Sequence, residues 1–383
     1  MSTEIRPFRI EIPDAALDDL RDRLGRTRFP DQLETSDWEN GTELSYLKEL
    51  CAYWRDKFDW RAQEALLNRF DQYKTEIDGL DLHFIHVRSK QPDALPLVLT
   101  HGWPGSVFTF HKVIAALADP VAHGGEARDA FHVVCPSMPG YGFSDPPRQP
   151  GYDVKRVAES EAKLMARLGY DRYGAQGGDW GAFVTNWIGL LDPKHCCGIH
   201  LNMVFALPPP GEDQTEGLSD EEKQALADSQ HFQAEETGYQ QIQGTKPQTL
   251  GYGLNDSPAG LAAWIVEKFR SWSDCGGDVE SRYTKDELLT NIMIYWSTQS
   301  ITSSMRLYCE NRRSGRLGLD RRVEVPTGCA VYPREIYRSP RKWAEARYNV
   351  QHWATLPRGG HFAALEEPEL FVADVREFFR KVR

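Results

Sequence analysis

Apolar residues recur at helical spacing through the first 76 residues of the chain. Asp14, directly after Pro13, is typical of a helix start. The apolar face of that helix is formed by Leu17, Leu20 and Leu24. An aromatic-rich helical pattern follows, and no motif of catalytic type lies within it. This part is therefore predicted to form a helical N-terminal segment that packs on a larger body.

From residue 77 onwards, short apolar runs alternate with helical stretches. Asp78-Gly79 is typical of a hairpin turn. Apolar runs at 96–100, 131–135 and 198–204 have the composition of buried strands, and a helix is predicted between the first two at 107–117. Strands that alternate with helices favour a parallel sheet with right-handed crossovers.

After residue 205 the pattern changes again. A polar stretch opens with Pro208-Pro-Pro-Gly211, and helix-like segments without a clear strand follow it. The strand pattern resumes at 326–331, and a closing helix is predicted at 368–383. We therefore predict an α/β protein with a mostly parallel sheet and a helical lid. Its predicted parts are an N-terminal segment at 1–76, the sheet region at 77–205 and 312–383, and the lid at 206–311.

Composition excludes several classes of protein. A net charge of −11 without a basic cluster argues against nucleic-acid binding. No apolar run reaches the roughly 18 residues of a membrane span, and the N-terminus lacks the apolar stretch of a secretory signal. Seven cysteines show no metal-ligand spacing, which favours a reducing cytoplasm and no structural metal.

The sequence Gly177-Gly-Asp179-Trp-Gly181 has the pattern of a nucleophile elbow, with a strand before it and a helix after it. The residue at its tip is Asp179 rather than serine or cysteine. A carboxylate is an anion at neutral pH and is suited to displacement at a saturated carbon, such as an epoxide carbon or a carbon that bears halide. The simpler interpretation is that this aspartate only caps the helix.

Partners for Asp179 favour catalysis over capping. His361 lies in a Gly-Gly-His-Phe turn after the last predicted strand, where a hydrolase of this chain order places its base. This histidine would deprotonate water for attack on an Asp179 ester. Glu335 follows the strand before it and is the favoured acid for orienting the imidazole. Asp320 and Glu345 are the competing acids.

A His101-Gly-Trp103-Pro-Gly turn ends a central strand and begins a helix. The backbone N–H groups of Trp103 and Trp180 are predicted to form an oxyanion hole for the tetrahedral intermediate. His101 lies beside them, but a structural role is the favoured interpretation for it.

Taken together, these motifs resemble the microsomal-type epoxide hydrolases, the group that includes the juvenile hormone epoxide hydrolases. The resemblance covers nearly the whole chain and implies an α/β-hydrolase fold without a cofactor. It also implies that the N-terminal segment wraps the catalytic domain and the lid. The matching stretches are 6–30, His101-Gly-Trp-Pro-Gly105, Pro139-Gly-Tyr-Gly-Phe-Ser144, Gly177-Gly-Asp-Trp-Gly181, 238–247, 255–258, 289–296 and Arg358-Gly-Gly-His-Phe362.

The resemblance also implies roles for individual residues. Asp179, Glu335 and His361 match the nucleophile, the acid and the base of the catalytic triad. Tyr239 and Tyr308 match two lid tyrosines that donate hydrogen bonds to the epoxide oxygen. An aromatic-rich lid suggests an apolar epoxide, which water would convert to a vicinal diol.

Two other functions are compatible with these residues. A haloalkane dehalogenase uses the same Asp–His chemistry, but holds halide with N–H groups rather than with lid tyrosines. A non-catalytic α/β-hydrolase scaffold would bind a small apolar ligand without turnover. The sequence leaves open which epoxide is used, its regiochemistry, the oligomeric state (a homo-oligomer included) and whether the role is detoxification or biosynthesis.

Overall fold

The computed structural model describes residues 3–209 and 215–383. Within these residues one mixed sheet runs through the molecule, and its nine strands have four to nine residues. They are β1 (Ile5–Phe8), β2 (Gln72–Ile77), β3 (Leu80–Val87), β4 (Leu95–Thr100), β5 (Phe131–Pro136), β6 (Tyr173–Gly177), β7 (Cys196–Leu201), β8 (Val323–Val331) and β9 (Tyr348–Thr355).

Most of the sheet is parallel, as predicted. The strand order is β1-β2-β3-β5-β4-β6-β7-β8-β9. The pairs β1–β2, β2–β3 and β3–β5 are antiparallel, and the pairs from β5–β4 to β8–β9 are parallel. Asp78 and Gly79 turn the β2–β3 hairpin with φ angles of 52° and 81°. The N-terminal segment contributes β1 and most of β2, so it is not helical throughout.

Helices cover both faces of the sheet and also form a separate layer over the ends of its strands. They are α1 (Asp14–Gly25), α2 (Leu44–Asp56), α3 (Trp60–Leu67), α4 (Ile114–Ala118), α5 (Val154–Arg167), α6 (Trp180–Leu191), α7 (Asp220–His231), α8 (Gly238–Thr245), α9 (Pro247–Asp256), α10 (Pro258–Trp272), α11 (Lys285–Thr298), α12 (Ile301–Ser314), α13 (Arg341–Arg347), α14 (Ala363–Glu366) and α15 (Pro368–Arg380).

The helix predicted at 107–117 is shorter than expected. Val107–Phe110 forms a single 3₁₀ turn, which the Ser106 hydroxyl caps by accepting from the Phe108 amide, and only Ile114–Ala118 is α-helical. The stretch is rich in β-branched residues, which lose side-chain freedom in a helix.

Alternate residues of the central strands pack against different helix layers. Leu97 and Leu99 of β4 lie in one apolar cluster with Phe378 of α15, whereas Val98 lies in another with Leu164 of α5. All of these side chains are fully buried. Both faces of the strands are therefore covered, which explains their continuous apolar character.

Helices α7 to α12 lie between β7 and β8 in the chain and are called the lid below. The N-terminal segment holds the lid from outside. The Thr42 hydroxyl donates to the Ala263 carbonyl at 2.7 Å, and the Tyr53 hydroxyl donates to Asp286 at 2.9 Å. The wrapping that the resemblance implies is thus present. Pro210 and Gly211 of the predicted polar stretch lie outside the described residues.

Candidate active site

The elbow between β6 and α6 holds Asp179 in a strained conformation. Its φ angle is 51°, which side chains other than glycine rarely adopt. A Cβ at Gly177 would lie 2.1 Å from the Gly181 carbonyl oxygen, and one at Gly181 would lie 2.0 Å from the Thr100 carbonyl oxygen. Glycine is therefore required at both flanking positions, and the turn projects the Asp179 carboxylate beyond the end of the sheet.

His361 and Glu335 meet this carboxylate. His361 Nε2 lies 3.3 Å from Asp179 Oδ2, and His361 Nδ1 lies 2.6 Å from Glu335 Oε1. A backbone bridge between Arg334 and Gly360 places the two loops side by side. Both His361 and Glu335 are buried, at 5% and 4% exposure. The competing acids Asp320 and Glu345 lie on the surface.

The charges around His361 hold it as an imidazolium ion. Burial alone would lower its pKa, but Glu335 and Asp179 act against burial through charge and hydrogen bonds and raise the pKa to about 10. With both ring nitrogens protonated, Nδ1–H donates to Glu335 and Nε2–H faces Asp179. The orientation of the ring is thus fixed by two carboxylates.

A backbone N–H group faces the other side of the Asp179 carboxylate. The Trp103 amide donates to Oδ1 at 2.7 Å. Trp180 is the first residue of α6, so its amide belongs to the helix turn whose N–H groups lack acceptors within the helix. From the lid, the Tyr295 hydroxyl donates to the Gly105 carbonyl at 2.6 Å and so holds the loop that carries Trp103.

His101, on the same loop, has the environment of a structural residue. It is buried, and burial lowers its pKa to about 4. The Met138 amide donates to its Nε2 at 3.3 Å, and its Nδ1 lies 3.0 Å from the Gly102 carbonyl oxygen. A neutral ring with both nitrogens engaged in this way joins two loops and has no free nitrogen for catalysis.

The two lid tyrosines lie against Trp103 and Trp180. Tyr239 of α8 stacks on Trp103 with centroids 5.3 Å apart, and Tyr308 of α12 meets Trp180 edge to face at 4.7 Å. The rings of Tyr239 and Tyr308 are 5.9 Å apart. Burial and, among other nearby groups, the Asp179 charge hold the pKa of each phenol well above its ordinary value. Both therefore stay neutral and can donate a hydrogen bond.

Several supporting residues escaped the sequence analysis. The His361 amide donates to the Trp272 carbonyl at 3.0 Å, and the Trp272 ring meets the imidazole at 5.1 Å. Glu366 accepts from the Gly360 and Phe362 amides at 3.0 and 2.9 Å, on either side of His361, and from the Asp274 amide at 2.9 Å. The Gly359 amide donates to the Asp274 carboxylate at 3.0 Å. The end of α10 and the histidine loop are thus joined by hydrogen bonds.

Further properties of the described residues bear on the class of protein. Over residues 3–209 and 215–383, His, Cys, Asp and Glu side chains do not cluster in a way that could hold a metal ion. In the same ranges, every helix is too short or too polar to cross a membrane.

Comparison with known proteins identifies the family. The family described as Epoxide hydrolase N terminus matches residues 5–110, and the one described as alpha/beta hydrolase fold matches residues 96–274. Epoxide hydrolase 1 of Oryctolagus cuniculus is 42% identical over 401 residues, which cover 98% of this chain and 88% of the relative.

Solved structures extend the similarity to the whole fold. The juvenile hormone epoxide hydrolase of the silkworm Bombyx mori superposes with a TM-score of 0.92 at 36% identity, over 100% of this chain and 95% of that one. The Aspergillus niger epoxide hydrolase superposes with a TM-score of 0.90 at 32% identity, over 99% and 97% of the two chains. With an α/β-hydrolase fold and this similarity along its whole length, the chain belongs to the epoxide hydrolase family.

Proposed function

We propose that this protein hydrolyses an apolar epoxide to a vicinal diol through a covalent ester on Asp179. The observation that carries the proposal is the set of groups around the Asp179 carboxylate. Asp179 Oδ1 accepts from the Trp103 amide, Oδ2 faces His361, and the rings of two neutral phenols pack on the adjacent tryptophans. This arrangement supports the roles of a nucleophile, of a base with its orienting acid, and of two hydrogen-bond donors for an epoxide oxygen.

In the first step, Asp179 Oδ2 attacks a ring carbon of the epoxide, and the bond between that carbon and the epoxide oxygen breaks. The electron pair stays on the oxygen, which becomes an alkoxide and takes up a proton to become the first hydroxyl group. Tyr239 and Tyr308 donate hydrogen bonds to this oxygen as its charge develops. Asp179 Oδ1 remains the carbonyl oxygen of the new ester.

In the second step, His361 removes a proton from a water molecule, and the resulting hydroxide attacks Cγ of the ester. The negative charge of the tetrahedral intermediate collects on Oδ1, where the Trp103 and Trp180 amides stabilise it. Collapse breaks the bond between Cγ and the alkyl-bearing Oδ2, and this leaving oxygen takes up the proton of the hydroxyl group that came from water and becomes the second hydroxyl of the diol. The diol leaves with that oxygen, and Asp179 returns as a carboxylate that carries the oxygen of water.

The charges around His361 explain how it becomes a base only after the first step. In the free enzyme, Glu335 and the Asp179 anion together hold the pKa of His361 at about 10. Esterification removes the Asp179 charge and thereby part of what raises this pKa. The imidazolium can then release its Nε2 proton to the alkoxide, and the neutral imidazole that results can accept a proton from water. Glu335 keeps Nδ1 protonated throughout.

The test measures diol formation from styrene oxide and from cis- and trans-disubstituted aliphatic epoxides, with Asp179→Ala as the control. Diol that disappears in the control supports the proposal, whereas substantial residual diol contradicts a covalent mechanism. In a single turnover with ¹⁸O-labelled water, the diol should be unlabelled and Asp179 should carry the label. Label in the diol would show direct attack by water.

The ester itself can be trapped. His361→Gln should retain the first step and lose the second, so incubation with a proven substrate should add the mass of one epoxide to the intact protein. An unmodified mass would count against His361 as the base that cleaves the ester.

The alternatives from the sequence are not favoured. Haloalkane dehalogenation would need no phenol above the nucleophile, and the full-length relatives described above are epoxide hydrolases. Chloride release from chloroalkanes, at rates comparable with diol formation, would reverse this choice. Binding of an epoxide without any turnover would favour a non-catalytic scaffold.

A further inference from the structure

A buried lysine lies beside one of the two lid tyrosines. Lys268 is on α10 and is only 5% exposed. Its ammonium nitrogen lies 4.7 Å from the centre of the Tyr239 ring and 5.8 Å from that of the Trp272 ring. Lysine is rarely buried, because removal of the ammonium group from water is costly. The location of this charge therefore needs a physical reason.

The ion pair that Lys268 makes does not supply that reason. Its ammonium group lies 2.6 Å from Glu267, whose side chain is more exposed, at 22% against 6% for Lys268. A pair near the surface could form just as well with the lysine extended toward solvent, which its long stem allows. Instead the cation lies on the inner side, toward two aromatic rings.

Of the two lid tyrosines, Tyr239 is the one that contacts the Lys268 ammonium group. Across the described parts of the chain, the cation–ring contacts include Tyr239 but not Tyr308. The Tyr239 oxygen also accepts a hydrogen bond from Gln240 Nε2 at 2.9 Å. Because this bond uses a lone pair of the oxygen, the hydroxyl hydrogen stays available for another acceptor.

We propose that Lys268 is a positioning residue for epoxide opening, which acts through Tyr239 by strengthening this phenol as a hydrogen-bond donor. This inference rests on the proposed function. A cation is attracted to the electron-rich face of an aromatic ring, and the attraction grows as the phenol donates its proton and its ring gains negative charge. An interaction that is stronger in the transition state than in the ground state increases the rate.

The test separates the two half-reactions in Lys268→Met and Lys268→Arg. Rapid quench and intact mass give the rate of ester formation, and the decay of the trapped ester gives the rate of hydrolysis. Lys268→Met should slow ester formation by about 3- to 30-fold, the range expected for one desolvated cation–ring contact. Ester hydrolysis should be unchanged, and Lys268→Arg should retain most of the wild-type rate of ester formation.

Two further backgrounds show whether Lys268 acts through Tyr239. In Tyr239→Phe, which lacks the hydroxyl, Lys268→Met should cause no further loss. In Tyr308→Phe, the matched control, it should cause its full loss. The same loss in both backgrounds would overturn the proposal, because the effect would then not pass through Tyr239. Equal slowing of both half-reactions would also overturn it and would indicate a role in packing Trp272 against His361.

Failure of this proposal can be distinguished from failure of the proposed function. If Tyr239→Phe slows ester formation and Lys268→Met does not, the role of Lys268 is refuted and the mechanism stands. If Tyr239→Phe leaves ester formation unchanged, Tyr239 is not a donor, and the role of Lys268 is refuted with it.

Discussion

Replacement of Glu335 by glutamine should slow ester hydrolysis and make the ester accumulate. Glutamine keeps the size of the side chain and an oxygen for His361 Nδ1, but it removes the charge 2.6 Å from that nitrogen. During ester hydrolysis Asp179 is uncharged, so Glu335 is then the carboxylate that stabilises the imidazolium as it forms. The first step needs no base and should be much less affected.

The size of the effect follows from the pKa of His361. The difference between an ordinary value of 6.5 and about 10 corresponds to about 5 kcal/mol of net stabilisation of the imidazolium. Glu335 is the largest of the contributions that oppose burial. If Glu335 supplies about half of this net value, its loss costs about 2 to 3 kcal/mol, which slows hydrolysis by roughly 30- to 150-fold.

The assay is a single-turnover time course that follows ester by intact mass and diol by chromatography. In Glu335→Gln the ester should form within about tenfold of the wild-type rate and then persist. Glu345→Gln is a matched control, because this exposed carboxylate is paired with Arg341 and does not contact the site. Diol release at the wild-type rate in Glu335→Gln, or an equal defect in Glu345→Gln, would refute the reasoning.

Three further results are expected. Gly181→Ala should abolish activity and lower stability by several kcal/mol in thermal unfolding, because its Cβ would meet the Thr100 backbone. Its control is Gly253→Ala, at an exposed position of α9 with open space around the new Cβ, which should be neutral or slightly stabilising. Glu161→Gln should gain stability relative to wild type as pH rises from 4.5 to 8, by at most about 5 kcal/mol. Burial raises the pKa of Glu161 in the folded protein to about 8, so over this range the unfolded wild type loses the proton that the folded wild type keeps, and wild type becomes less stable. An unchanged stability difference between pH 5 and pH 9 in denaturant titrations would contradict this. Tyr308→Phe should lower the rate of ester formation by about tenfold without slowing ester hydrolysis, and slower ester decay in rapid-quench data would count against its role as a donor.

The sheet was predictable because its strands are buried on both faces. Runs such as 96–100 are apolar without interruption, and the observed β4 spans Leu95–Thr100. β1 was not predictable, since it is a four-residue edge strand that contains Pro7 and buries none of its side chains fully. Its pairing with β2 joins residues 64 to 70 positions apart, and no local pattern reports such a contact.

Some residues of the candidate site were likewise predictable from the sequence, and others were not. The Asp179 elbow could be read from its glycines, and His361 and Glu335 from their positions after strands. Tyr239 and Tyr308 came only from the family resemblance, because a lid helix shows no periodic signal for a side chain that faces a reactive group. Lys268 and Glu366 contact parts of the chain that are distant from them in sequence or on another helix, so their environments become visible only in the fold.

The hydrogen bonds between the end of α10 and the histidine loop bear on how this family can be recombined. Asp274 is linked to Gly359 and Glu366, which are 85 and 92 positions away in sequence. A chimera that takes its lid from one parent and its C-terminal part from another would combine two halves of this contact that did not evolve together. Crossover points that keep 272–274 and 359–366 from the same parent preserve it. In protein engineering these two stretches should therefore be exchanged together, because the residues after α10 in the lid hold the loop that orients His361.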